Sequence, residues 1–150
     1  MKLSTRARYG LRAVVELSAS CESGPVSLST ISLKQNIPEA YLEQLMRILK
    51  GEGIVTTVRG KNGGYNLARG AEDITVYEIL TALEGNASIV DCVGEDAGVC
   101  ENACTCASRP LFMTLQNRID SVLKQTTLQD LTQDYKEQKT RMQNAKSLSR

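Results

Sequence analysis

The chain has 150 residues, 41% hydrophobic and 23% charged, with a formal net charge of +1, five cysteines, no histidine and no tryptophan. That length suits one compact domain, or a small domain with an oligomerisation arm. No apolar run reaches the roughly 18 residues that span a bilayer, and the N-terminus has no signal-peptide core, so we expect a cytoplasmic protein with no membrane partner, whose clustered thiols are metal ligands or redox sensors rather than a disulfide framework.

The near-zero total hides an asymmetry. Residues 1–70 carry ten Lys/Arg against five Asp/Glu, and residues 71–150 carry eight against twelve. A nucleic-acid surface is therefore expected in the first half.

Ser4 and Thr5 cap a first helix that runs to about Cys21, with Leu11, Val14, Val15 and Leu17 inward. Lys2, Arg6, Arg8 and Arg12 crowd its first turns, where positive charge opposes the helix dipole and is useful if it meets phosphate. Ser27 caps a short second helix with Leu28 and Ile31 as its apolar positions. After Asn36-Ile37, Pro38 opens a third helix, in which Leu42, Leu45, Met46 and Leu49 fall at i, i+3, i+4, i+7. Glu39, Ala40, Glu43, Gln44, Arg47 and Lys50 are left for its outer face. Ile54–Val58 and Tyr65–Ala68 read as two strands around the turn Arg59-Gly60-Lys61-Asn62-Gly63-Gly64. Those glycines lie between strands and lack the GxxxxGK[ST] pattern, which argues against a nucleotide loop. Three helices and a hairpin, in that order, make a winged helix-turn-helix. The third helix would enter the major groove, and the hairpin tip would carry Arg59 and Lys61 to phosphates or the minor groove.

Thr75-Val76-Tyr77-Glu78 is a capping box for a fourth helix through about Glu84, with Ile79, Leu80 and Leu83 inward. From about Ser108 a long helix carries Leu111, Phe112, Leu115, Ile119, Val122 and Leu123 as one apolar stripe, most simply packed against its copy in a second chain. Thr126-Thr127 caps a last helix. From Thr132 onward the sequence is polar, and we expect it to fray after about Lys139. The fold class is thus mainly α with a small β-hairpin wing: residues 1–84 a winged helix-turn-helix domain, 85–107 a cysteine-rich loop, 108–132 a dimerisation helix and the start of the next, and 133–150 a polar tail.

The loop holds Cys92, Cys100, Cys104 and Cys106, spaced C-x7-C-x3-C-x-C. Zinc sites favour C-x2-4-C pairs, whereas irregular spacing on a glycine-containing loop suits an iron-sulfur cluster. Zinc, metal-free thiol switching and control by a partner protein stay open. Cys21 stands apart and reads as a small buried hydrophobe. No nucleophile-base pair or acidic dyad stands out, so no enzyme is expected. From another class, an iron-sulfur or zinc carrier is the alternative, and the basic N-terminal half speaks against it.

The opening Met1-Lys2-Leu3-Ser4-Thr5-Arg6-Ala7-Arg8-Tyr9, the stretch Ile37-Pro38-Glu39-Ala40-Tyr41-Leu42-Glu43-Gln44-Leu45 and the wing Val58–Leu67 closely resemble the Rrf2 family of bacterial winged-helix transcription regulators, over roughly residues 1–132. The resemblance implies a homodimer, repressor rather than activator, on pseudo-palindromic double-stranded DNA, with a long helix crossing at the dimer interface. Phosphates would be met by Lys2, Arg6, Arg8 and Lys61. Tyr41, Glu43, Gln44, Arg47 and Arg59 would lie nearest the bases, with Ser27, Glu39, Ala40 and Gly60 completing the DNA surface. In iron-sulfur members, three loop cysteines hold a cluster whose presence or redox state changes DNA affinity. Matched on C-x2-R-x2-F, these are Cys92, Cys100 and Cys106, with 2Fe-2S favoured over 4Fe-4S. Some relatives place a histidine ligand where this chain has Arg109, and others a carboxylate at the position of Arg8. Cys104 is therefore the expected fourth ligand, provided the loop bends at Cys-x-Cys. Asp91, Glu95, Asp96 and Glu101 are candidate oxygen ligands.

Overall fold

In the computed structural model, which describes residues 3–85, 88–93 and 100–148, Ser4 caps the first helix by accepting the Ala7 amide at 3.0 Å, and α1 runs Thr5–Ser20. Ala7, Ala13, Val14 and Leu17 on α1 are fully buried. Gly10 lies where a Cβ would collide with the Leu83 side chain, so glycine lets α1 cross close to the fourth helix. A short 3-10 turn at Cys21–Ser23 ends the first helix.

Ser27 caps α2 (Leu28–Gln35), accepting from the Thr30 amide at 3.1 Å. Asn36 then turns the chain in the left-handed region at φ 52°, a conformation asparagine tolerates well. Pro38 is the cap residue of α3 (Glu39–Gly51) rather than its first helical position, and its carbonyl accepts the Leu42 amide at 2.9 Å. Leu42, Leu45, Met46 and Leu49 are buried, as their spacing demands. The wing pairs β1 (Val55–Val58) with β2 (Gly64–Leu67), antiparallel, Val55 opposite Leu67. Its base is tied to the segment before α2 by reciprocal amide–carbonyl bonds between Val26 and Tyr65 of 2.9 and 2.8 Å. A Cβ at Gly64 would strike the Val26 carbonyl, which accounts for glycine there.

The capping box is formed, Thr75 and Glu78 each bonding the other's backbone amide, and it opens α4 (Val76–Glu84). The fifth helix, α5, spans Arg109–Gln125, and α6 spans Leu128–Leu148. Their junction is fixed to the start of α4 by Val76 N–H to the Thr126 carbonyl (2.9 Å) and Leu128 N–H to the Ile74 carbonyl (2.8 Å). The helix continues to Leu148 instead of fraying after Lys139. Leu128 and Thr132 are buried against the body, and Thr132 donates to Ser18 Oγ at 2.8 Å. Polar composition had hidden a helix with one narrow docked face. One core therefore serves α1–α4, the wing base and Leu128. Among the described residues no helix is long and apolar enough to cross a membrane.

Candidate nucleic-acid interface and cysteine loop

With four leucine and methionine side chains turned inward, α3 is left with Glu39, Ala40, Glu43, Gln44 and Arg47 exposed on the opposite side. Glu43 and Arg47, one turn apart, pair at 3.3 Å. Tyr41 is half-buried, packed on the core with its ring edge-on to Tyr9 at 6.1 Å. Arg59, Gly60 and Lys61 are exposed at the wing tip, with Gly60 at φ 119° supplying the turn. Ser27 and Lys61 come together with Ser20, Ser23, Thr30 and Lys34 around an open cleft of about 420 Å³ at the start of α2. Hydroxyls, a helix N-terminus and two ammonium groups form a surface suited to phosphate. Arg6 and Arg8 are exposed. One Arg8 guanidinium nitrogen sits 3.3 Å from Thr5 Oγ1, and Arg6 reaches the Glu84 carbonyl at 3.5 Å. Lys2 lies outside the described residues.

From Cys100 to Cys106 the chain is a run of turns. Ala103 N–H bonds the Cys100 carbonyl (2.9 Å), and Thr105 and Cys106 N–H both bond the Asn102 carbonyl (3.1 and 2.9 Å). The bend required at Cys104-x-Cys106 is thus present. All five cysteines are free thiols. Among the described residues no three cysteine or carboxylate side chains come together as a metal-holding group. Cys92 lies on a turn in which the Val93 amide bonds the Val90 carbonyl at 3.3 Å, and Glu95 and Asp96 fall outside the described residues. Cys21 is half-buried rather than buried: its thiol donates to the Ser18 carbonyl at 3.4 Å, and it lines a cleft between the end of α1, the wing base and α6.

Cys106 is distinct among the loop thiols. Its sulfur lies 3.2 Å from Ser108 Oγ; that hydrogen bond, the Ser108 and Arg109 amides and the Arg109 charge hold the thiol below the ordinary cysteine range. In a variant whose only loop cysteine is Cys106, alkylation by iodoacetamide is expected to rise with a midpoint below that of a free thiol, and Ser108→Ala should move the midpoint upward.

Three residues beyond Cys106, with only Ala107 and the cap residue Ser108 between, α5 begins. Its stripe divides: Leu111, Leu115 and Val122 are exposed at 58, 39 and 62%, together with Met113, whereas Leu123 packs on the chain's own core. Phe112 and Ile119 are half-buried. Gln116, which no apolar pattern would select, is buried and accepts the Ile89 amide at 2.8 Å, tying the segment before Cys92 to α5.

A three-helix unit with a glycine-turned hairpin, a polar outer face on its third helix and an apolar helix standing off the body define a winged-helix DNA-binding regulator. The Rrf2 model, described as an iron-dependent transcriptional regulator, matches residues 3–134, and the chain belongs to that family. The HTH-type transcriptional regulator IscR of Escherichia coli is 35% identical over 131 residues, covering 87% of this chain and 80% of that one. Among solved structures, CymR (YrzC), the global cysteine regulator of B. subtilis, superposes with a TM-score of 0.77 at 38% identity, covering 89% of this chain and 97% of that one. IscR of T. potens superposes with 0.75 at 34% identity, covering 91% and 90%. The chain is accordingly a transcription regulator and not an enzyme.

Proposed function

We propose that the chain is a homodimeric repressor of pseudo-palindromic DNA whose affinity is set by chemistry at its cysteine loop. One observation carries this reading: Cys106, hydrogen-bonded to the α5 cap residue Ser108, lies at the foot of α5, whose exposed Leu111, Leu115 and Val122 are the natural contact between two copies. Chemistry that holds or releases Cys106 acts on the first turn of the helix that fixes the spacing of the two DNA-binding units.

An iron-sulfur cluster, 2Fe-2S before 4Fe-4S, on Cys92, Cys100 and Cys106 with Cys104 as fourth ligand is the first form of that chemistry, supported by the number of thiols and by the iron-dependence in the family's description. It requires Cys92 and the Cys100–Cys106 turns to share one centre. Metal-free thiol chemistry is the second form, supported by the depressed Cys106 thiol and by the likeness to a cysteine regulator. Anaerobic purification with an absorption spectrum and iron and sulfide analysis separates the two. Visible absorption with matching iron and sulfide supports the cluster; a colourless, metal-free protein that still responds to oxidants supports the thiol.

At the DNA, Arg59 on the exposed wing tip is assigned to phosphate or the minor groove. Arg59→Ala should weaken binding to a duplex enriched from a random pool and lower the salt slope by about one. Fluorescence anisotropy over a salt series checks this, and unchanged affinity would remove the wing from the interface.

A further inference from the structure

Glu16 is the one fully buried acidic residue among those described, one turn before the end of α1. Five donors converge on it from three helices. Ser20 donates at 2.8 Å and Lys34 approaches to 3.0 Å at one oxygen; Gln35 Nε2 at 2.9 Å, the Tyr135 hydroxyl and Lys139 Nζ at 3.6 Å meet the other. Tyr135 and Lys139 belong to α6, while Lys34 and Gln35 are the last two residues of α2, next to the turn of the helix-turn-helix. An apolar side chain would fill such a position with less desolvation cost, and buried charge clusters are best justified by the geometry they specify.

The contacts continue toward the DNA face. Arg12 grips Gln35 twice, through its side-chain oxygen at 3.2 Å and its backbone carbonyl at 2.6 Å. The Arg12 guanidinium lies 5.4 Å from the Tyr9 ring centre, and Tyr9 meets Tyr41 of α3 edge-on. Tyr41 stands in the first turn of α3, between exposed Ala40 and Glu43. An unbroken series of hydrogen bonds and ring contacts therefore runs from α6 through Glu16, Gln35, Arg12 and Tyr9 to the recognition helix. Because α6 follows α5 across a junction locked to α4, α6 also reports where α5 stands.

We infer that α6 positions the recognition helix through Glu16, with Tyr135 and Lys139 as positioning residues that set DNA selectivity from the far side of the domain. This rests on the reading of α3 and the wing as the DNA-contacting surface.

The test uses the full-length protein, a duplex that the wild type enriches from a random-sequence pool, and a shuffled duplex of the same composition. Tyr135→Phe removes one hydroxyl from the carboxylate and keeps the ring. Its ratio of enriched to shuffled affinity should fall about tenfold, in keeping with a hydrogen bond to a charged group, while shuffled-duplex binding and its salt slope stay as in wild type. Lys136→Ala removes a neighbouring cation on α6 whose partner is the exposed Glu22, and should leave the ratio unchanged. Lys139→Ala, milder because the ammonium is half in water, should move the ratio the same way and stands in if Tyr135→Phe does not fold. A folded Tyr135→Phe or Lys139→Ala protein with the wild-type ratio would overturn the inference, as would an equal loss in Lys136→Ala. A wild-type protein that enriches no sequence would instead overturn the DNA-recognition reading, and this inference with it.

Discussion

Aspartate at both Leu115 and Val122 is expected to yield a folded monomer whose affinity for the enriched duplex is lower by about two to four orders of magnitude. Both side chains are exposed on α5 and neither belongs to the chain's own core, so the substitutions act on the contact between copies. A charge at each position must be desolvated if the helices are to pair, and four such charges of one sign would face a single seam. A dimer on two half-sites gains the second binding event at high effective concentration, and the monomer forfeits it. Sedimentation velocity together with anisotropy checks both parts. Binding to a single half-site should be unchanged, which separates loss of pairing from damage to the recognition helix. A dimer that persists would move the interface away from this face of α5.

Loss of Glu16 is the second large effect. Glu16→Ala should cost about 2–4 kcal/mol, because the Tyr135 hydroxyl and Gln35 amide are left without their acceptor in a buried place. Burial alone would raise this carboxyl, but Tyr135, Ser20, Lys34 and Gln35 together outweigh it and bring it from the ordinary 4.5 to about 2. The sign follows from linkage: a carboxyl depressed in the folded state stabilises fully above its ordinary pKa, and that contribution disappears as pH falls from about 4.5 toward 2. Denaturant unfolding of wild type and Glu16→Gln at pH 7 and near pH 3 should show a deficit in the variant that narrows at the lower pH. A deficit independent of pH would mean that Glu16 is not held as a carboxylate.

The DNA-facing half was legible because its signals are local. The stripe Leu42–Leu49 repeats at helical period, Ser27 and Thr75 are cap residues followed by apolar positions, and Gly60 and Gly64 stand where the wing needs a turn or a close approach. Glu16 was not legible. A glutamate inside an amphipathic helix reads as solvated, and two of its donors, Tyr135 and Lys139, are more than a hundred positions away in sequence. The same blindness hid the rest of α6, where Leu128, Leu131, Thr132 and Tyr135 are too few to mark a buried face against so polar a background. On α5 the apolar stripe was visible, but spacing alone could not separate Leu123, which packs at home, from Leu115 and Val122, which do not. At the cysteine loop the four thiols within fifteen residues were visible, and so was the need for a bend at Cys104-x-Cys106, which the turn hydrogen bonds at Cys100–Cys106 supply.

The most direct test of the loop as the control point is DNA affinity measured on one preparation in two states of its cysteines, fully reduced and metal-free against reconstituted anaerobically with iron and sulfide or treated with oxidant. The wild type should change its affinity for the enriched duplex by about tenfold or more between states, within the coupling range of regulatory proteins, and Cys106→Ser should abolish the change while leaving the reduced-state affinity intact. Equal affinity in every state, with the wild type still bound selectively, would contradict it and leave a DNA-binding regulator whose signal enters elsewhere.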